Sequence, residues 1–311
     1  MSRSRRKVVL DTDPGIDDAM ALLYLHACDS LELLGVTTVF GNASIDDCTT
    51  NTLFLCEQFG VIAPVYRGAD RLLNGETPEE YPDFVHGKNG LADIDVTVAE
   101  KTAEDQEASH FLIKATKANP NEITIIAIAR LTNIALAINK DPTFASRVKE
   151  IIFMGGAANC EGNVTTWAEA NIIGDPEAAS TVFNAGIPMV MVGLDVTMQT
   201  WLSLDILDSM TSGMAQLKPL LLSINNVYAN SYKTRQNWDE FPVHDSSAIA
   251  YAHNPKLFGT ERGQITCTLN GEARGRTVFE PAASGNHRVC LSVNSTALVD
   301  GYLKTVTAAY R

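Results

Sequence analysis

A chain of 311 residues, 45% hydrophobic and 20% charged, has the composition of a folded globular protein with enough apolar residues for a core of good size. Its formal net charge of −13, from 37 acidic against 24 basic residues, excludes a nucleic-acid or anionic-membrane binder, because both need a basic surface. No stretch approaches the length of a membrane span. The six cysteines (Cys28, Cys48, Cys56, Cys160, Cys267, Cys290) form no Cys-x-x-Cys pair, and are expected as reduced thiols of a cytoplasmic protein.

The basic cluster Arg3, Arg5, Arg6 and Lys7 has no apolar run behind it long enough for a signal peptide, and is expected as a solvated arm. Val8–Leu10 is a short continuous apolar run, the pattern of a strand buried on both faces, and Pro14-Gly15 is the turn that ends it. Ala19, Leu22, Leu23 and His26 then recur at helical spacing. Asp11 and Asp13 therefore lie at the carboxyl end of a strand, and Asp17 and Asp18 in the first turn of a helix, where the dipole favours anions. Four carboxylates within eight residues repel one another and raise each other's pKa unless a cation sits among them. A capped helix accounts for Asp17 or Asp18 alone, but not for Asp11 and Asp13 as well. A metal ion does, and oxygen-only ligands point to Ca²⁺ or Mg²⁺.

Leu31–Phe40 reads as a second buried strand closed by the polar turn Gly41-Asn42, followed by a helix to about Phe59 and a short strand at Val65–Arg67. Leu72–Ala92 breaks this rhythm with Gly75, Pro78, Pro82, Gly87 and Gly90. A loop of that length is expected to be a lid or binding flap, and a lone loop residue such as His86 is expected to be solvated. The alternation resumes with a helix over Glu107–Ala118, a strand at Ile123–Ala129, a helix opening at Thr132-Asn133 and a strand at Ile151–Met154. A helix capped by Asp175 with Pro176 at its first position follows, then a strand at Met189–Gly193 ending near Asp195.

Repeated strand–helix units with nearly continuous apolar strands indicate an α/β fold, a mostly parallel central sheet flanked by helices in a Rossmann-like open arrangement. Ligands of such sheets bind outside the carboxyl ends of the strands. That rim carries Asp11 and Asp13, Gly41-Asn42, Ala129-Arg130, Met154 and Asp195, and the polar segment Asn159–Asn171 adds Asn163, Glu169 and Asn171. Together they suit a polyhydroxylated ligand.

The last third changes character. Leu217–Tyr232 is a long helical pattern with Tyr228 and Tyr232 four apart on one face, a spacing usual for helix packing. Val243-His244-Asp245 opens a short apolar helix, and a plain N-cap is the simplest role for Asp245. Beyond Arg262, QITCTL, GRTVF and HRVCLSV alternate like strands. No repeat, low-complexity tract or linker interrupts the chain, so residues 1–311 are expected to form one domain.

DTDPGIDDAMAL (Asp11–Leu22) resembles the signature of the nucleoside hydrolases, the inosine-uridine preferring ribonucleoside N-glycosidases. The likeness continues in order through TTVFGN (Thr37–Asn42), HGKNG (His86–Gly90), LTNIAL (Leu131–Leu136), FMGG (Phe153–Gly156), EGN (Glu161–Asn163), AEANIIGDPEAA (Ala168–Ala179), MVGLDVT (Met191–Thr197) and VHD (Val243–Asp245). The resemblance implies a nucleoside hydrolase-like fold and hydrolysis of purine or pyrimidine ribonucleosides to ribose and free base, in nucleoside catabolism or salvage. It also implies Ca²⁺ held by Asp13, Asp18, Asp245 and the main-chain carbonyl of Ile128, with Asp13 doubling as general base for the metal-bound water. Asp17, Asn42, Asn163, Glu169, Asn171 and the Met154 region would hold the ribose. His244 would assist departure of the base, while His86, Tyr228 and Tyr232 would lie near it. The family is commonly a homodimer or homotetramer.

The chemistry agrees with the residue types. Cleaving an N-glycosidic bond passes through an oxocarbenium-like transition state, which a ring of carboxylates and amide oxygens stabilises. The absence of an obvious Lys/Arg phosphate clamp favours neutral nucleosides over nucleotides. Two residues depart from the family pattern. Arg130 stands where small residues are usual, and is expected to point away from the site or pair with an acid, since facing the site it would oppose Ca²⁺. Ala170 replaces an aromatic residue beside the sugar. Haloacid-dehalogenase-like Mg²⁺ phosphatases also carry Asp-x-Asp after their first strand, but they want Thr or Val two residues past the second Asp, where this chain has Gly15. A non-catalytic nucleoside or sugar binder would lack a base or a metal ligand, and Asp13, Asp18 and Asp245 are all present.

Overall fold

The computed structural model describes residues 5–78 and 80–311, so Arg3 of the basic cluster lies outside the described residues. Six strands appear in the order the alternation predicts: β1 (Arg6–Thr12), β2 (Leu31–Thr38), β3 (Val65–Tyr66), β4 (Thr124–Ala127), β5 (Glu150–Met154) and β6 (Met189–Val192). Two short strands, β7 (Trp201–Leu202) and β8 (Phe241–Pro242), pair with each other outside the main sheet. The late alternating runs become β9 (Phe258–Cys267), β10 (Thr277–Pro281) and β11 (His287–Val293). The main sheet has the order β10-β9-β11-β6-β5-β4-β1-β2-β3. It is parallel except for β9, which runs antiparallel to both neighbours.

Both faces of this sheet are covered, which is why its strands are continuously apolar. Side chains alternate between faces along a strand. Val8, Leu10, Ile126, Ile152 and Val190 accordingly join one core with the helices Ile16–Ala27, Ile45–Phe59, Lys218–Gln236, Asp245–His253 and Ser295–Tyr310. Val9, Ile125, Ile151, Phe153 and Met189 join a second core under Ala108–Ala118, Thr132–Lys140 and Pro176–Phe183. Leu10 is fully buried, and its truncation to Ala would cost about 2–5 kcal/mol.

The topology also places the site. From β1 the chain moves outward through β2 and β3, then returns to pair β4 on the other side of β1 and continues to β5 and β6. The crevice at such a reversal of strand order, outside the carboxyl ends, is where open α/β sheets bind ligands. Here it lies between the segments following Thr12 and Ala127.

Arg6 and Lys7 do not form a solvated arm. β1 begins at Arg6, whose Nη1 lies 3.4 Å from Glu150 Oε1. Lys7 Nζ donates to Asn119 Oδ1 and Glu122 Oε2, each at 2.7 Å. Strand pairing at the sheet's amino end draws these residues onto neighbouring carboxylates, far from the crevice. No described helix is long and apolar enough to cross a membrane.

Candidate active site

The crevice floor is built by the Thr12–Asp18 turn. Asp18 folds back over it, with Oδ1 accepting from Thr12 Oγ1 (2.5 Å) and Asp13 N (3.3 Å), and Oδ2 from Gly15 N and Asn42 Nδ2 (2.9 Å each). Asp13 Oδ2 accepts from Asn42 N at 3.0 Å. Gly41 is required just before that contact, because a Cβ there would overlap the Asp13 carboxylate. Beneath the floor Asp11 is fully buried, its Oδ1 accepting from Thr37 Oγ1 (2.5 Å) and Asn133 Nδ2 (2.8 Å). Asp11 thereby ties β1 to β2 and to the helix after β4.

Asp245 completes the cluster from the far end of the chain. Carboxylate oxygens of Asp17, Asp18 and Asp245 lie within 4.8 Å of one another. Asp245 is the first residue of its helix and His244 occupies the capping position, so the plain N-cap expected of Asp245 is not its role. Burial raises every member of the group. Asp17 is pushed to about 6, and Asp18 to about 6 by burial and then by the charge of Asp17. Asp13 goes well above the usual carboxylate range through burial and then Asp18, with Arg130 opposing. Asp245 rises through burial and then through Asp17, Asp18, Asp13 and Glu169.

These carboxylates repel one another strongly enough that the cluster wants a cation. Its donors are all oxygen, which suits a hard divalent ion. The carbonyl of Ile128 lies on the same cavity and accepts one bond, from Asn171 Nδ2 at 3.2 Å. A carbonyl has two lone pairs, so one remains for a metal.

Above the floor is a cavity of about 80 Å³ with two chemically different walls. One is polar. Glu169 caps a short helix and accepts from Gly156 N (2.9 Å), Asn171 N (2.9 Å) and Ile172 N (3.2 Å). Burial nonetheless raises its pKa. Asn171 Nδ2 is fixed between the carbonyls of Ile128 and Met154. Asn42, Asp17, Met154 and Ala170 complete this side.

The other wall is aromatic. Tyr228 and Tyr232 face the cavity from the helix Lys218–Gln236, with ring centroids 5.1 Å apart. Asp17 Oδ2, Tyr228 Oη, Tyr232 Oη and His244 Nε2 follow one another at 3.4, 3.5 and 3.3 Å. Thr197 Oγ1 lies 2.8 Å from the other nitrogen, His244 Nδ1. His86 stacks on Tyr228 at 5.6 Å, and its Nδ1 accepts from Ile16 N at 3.1 Å. Burial lowers His86 and His244 to about 4, so both rings are neutral at pH 7.

Most of the expected residues are thus brought together. Asp17, Asn42, His86, Ile128, Met154, Glu169, Asn171, Tyr228, Tyr232, His244 and Asp245 line the cavity, with Asp13 and Asp18 in its floor. Asn163 does not line it, and its Oδ1 instead accepts from Ala170 N at 3.0 Å. His86 is buried rather than solvated, because the flap forms a short helix at Asp83–His86 and Asn51 Nδ2 binds the carbonyls of Pro14 and Asn89. The sequence reading missed three residues. Val85 lines the cavity, Thr197 orients His244, and Trp238 stacks on Tyr232 at 5.9 Å. Thr197 lies within the MVGLDVT stretch, which was a usable signal, whereas Trp238 carried none.

Uridine nucleosidase 1 of Arabidopsis thaliana is 39% identical over 275 residues, covering 88% of this chain and 82% of that protein. The solved structure of a plant nucleoside hydrolase superposes with a TM-score of 0.92 at 33% identity, covering 97% of this chain and 99% of that one. The purine-preferring ribonucleoside hydrolase from Gardnerella vaginalis gives a TM-score of 0.93 at 29% identity, with 98% and 99% covered. Residues 8–300 match the family described as inosine-uridine preferring nucleoside hydrolase, and the chain belongs to that family.

Proposed function

We propose that the chain cleaves the N-glycosidic bond of purine and pyrimidine ribonucleosides to give ribose and free base, using Ca²⁺ held by Asp13, Asp18, Asp245 and the Ile128 carbonyl. The observation that carries this reading is the convergence of Asp245 with Asp17 and Asp18 beside a cavity walled by Asn42, Glu169 and Asn171. When bound, the cation lowers the pKa of a coordinated water and so supplies a nucleophile at neutral pH.

The protein's own groups account for the rest. Asp13 takes the proton of the attacking water at its carboxylate. Asp17, Asn42, Glu169 and Asn171 hold the ribose hydroxyls, Asn163 supports that wall through Ala170, and the Met154 carbonyl adds a further acceptor. These oxygens oppose the positive charge that develops on the sugar as the base leaves. In the tautomer where Thr197 donates to His244 Nδ1, the imidazole proton sits on Nε2, directed at the Tyr232 hydroxyl and the base side of the cavity. His244 then serves as a neutral hydrogen-bond donor to the departing base, because burial disfavours the imidazolium. Aromatic faces stack on any base, so His86, Tyr228 and Tyr232 support acceptance of both classes.

The sheet running from residue 6 to 293 supports reading 1–311 as one domain. The test is ribose release from inosine, uridine, cytidine and adenosine, with and without chelator. Chelator-sensitive release is expected. No release from any nucleoside by the Ca²⁺-loaded protein would leave a binder.

A further inference from the structure

Behind the aromatic wall lies a second, smaller cavity of about 10 Å³. It shares Asp17, Tyr228 and His244 with the active-site cavity, and its other polar side chains are Asn225 and Ser246. Asn225 stands on the helix that carries Tyr228 and Tyr232, and Ser246 on the helix that Asp245 opens. Each is 1% exposed. Asn225 Nδ2 donates to the Leu221 carbonyl one helical turn back, at 2.8 Å, which fixes the amide and leaves Oδ1 as its free end. Asn225 Oδ1 and Ser246 Oγ are both shut off from solvent and have no hydrogen-bond partner among the described residues.

Two orphaned polar atoms on one cavity have a simple remedy. Buried polar groups that lack a protein partner are satisfied by ordered water, and a cavity of about 10–15 Å³ holds one water if two to four polar groups face it. Tyr228 Oη and both His244 nitrogens already have partners. The third group is then the Asp17 carboxylate, which has lone pairs beyond the one facing Tyr228 Oη.

We propose that this cavity is a water site, in which one water accepts from Ser246 Oγ and donates to Asn225 Oδ1 and the Asp17 carboxylate, making Asn225 and Ser246 positioning residues for Asp17. Donors and acceptors balance. The two water protons meet two groups that cannot donate, and the water oxygen takes the serine proton. The water ties together the helices Ile16–Ala27, Lys218–Gln236 and Asp245–His253 where the ribose and base sides of the active site meet. Asp17 also begins the hydrogen-bonded series that runs through Tyr228 and Tyr232 to His244, so holding Asp17 holds that series. The positioning role rests on the reading of Asp17 as a ribose ligand; the water site does not.

A crystal structure of the full-length protein that resolves ordered water tests the site directly. One water is expected within hydrogen-bond distance of Asn225 Oδ1, Ser246 Oγ and the Asp17 carboxylate. A dry cavity, or a direct bond between Asn225 and Ser246, overturns the inference. The positioning role is tested by a double-mutant cycle of Ser246→Ala and Asn225→Leu, read as kcat and KM on inosine. Each variant is expected to lower kcat about fivefold with KM within about twofold of wild type. The double variant should lose little more than either alone, since either change releases the same water. Asn225→Met takes its place in the cycle if Asn225→Leu does not fold. Unchanged kcat, or losses that multiply, would show two independent packing residues and overturn the positioning role. Wild-type protein that hydrolyses no nucleoside overturns the role of Asp17 and the positioning with it, while the water site stands or falls on the crystal structure.

Discussion

The two halves of the cavity are made in different ways. The floor comes from one turn and the residues it touches, with Asp13 and Asp18 held by backbone N–H groups and Asn42 within a span of 31 residues. The aromatic wall is assembled from a flap helix, a long helix and a loop that are distant in sequence: His86, Tyr228, Tyr232, Trp238 and His244. Strand ends and helix starts fix side chains more rigidly than loops do. The floor is therefore suited to the step common to all substrates, and the wall to the part of the substrate that varies.

Changes in the floor should abolish reaction on every nucleoside. Asp13→Ala is expected to lower kcat by about 10⁴-fold on inosine and uridine alike, read as ribose release, since it removes both a base and a cation ligand. Comparable loss on chelation, restored by Ca²⁺ and accompanied by a lower melting temperature of the chelated protein, would separate cation removal from misfolding. A floor variant that spared one base and not another would break the division between the halves.

Changes in the wall should be smaller and dependent on the base. His244→Ala is expected to cost about 10²-fold on inosine, and much less on a ribosyl substrate with an activated leaving group such as 4-nitrophenol. Equal losses on both would remove leaving-group assistance as its role. Thr197→Val should cost about tenfold with the same leaving-group dependence, because it frees the His244 tautomer. Trp238→Ala, which removes the ring stacked on Tyr232 and its edge contact with Trp201, should raise KM about threefold with kcat nearly unchanged, by steady-state kinetics on inosine and uridine.

Much of the fold was legible because each buried parallel strand writes itself as a short apolar run ending in a turn. The runs at Val8–Leu10, Ile151–Met154 and Met189–Gly193 all became strands of the sheet. Strand ends were read too long where the chain leaves the sheet to serve the site. Leu31–Phe40 stops at Thr38, after which Phe40–Asn42 turns toward Asp13, and Ile123–Ala129 stops at Ala127, just before the Ile128 carbonyl. His86 could not be placed from sequence, because its burial depends on contacts with Ile16 and Tyr228 that no local pattern encodes.

By itself, the sequence determined the α/β alternation, the crowding of Asp11, Asp13, Asp17 and Asp18 around one turn, and the motifs that place the chain in its family. Local spacing and residue chemistry are sufficient for those. Only the tertiary structure decided that Thr197 holds His244 and that His86 is buried against Ile16 and Tyr228. Each depends on segments far apart in the chain meeting where the strand order reverses beside β1, and that meeting is set by packing on the two faces of the sheet.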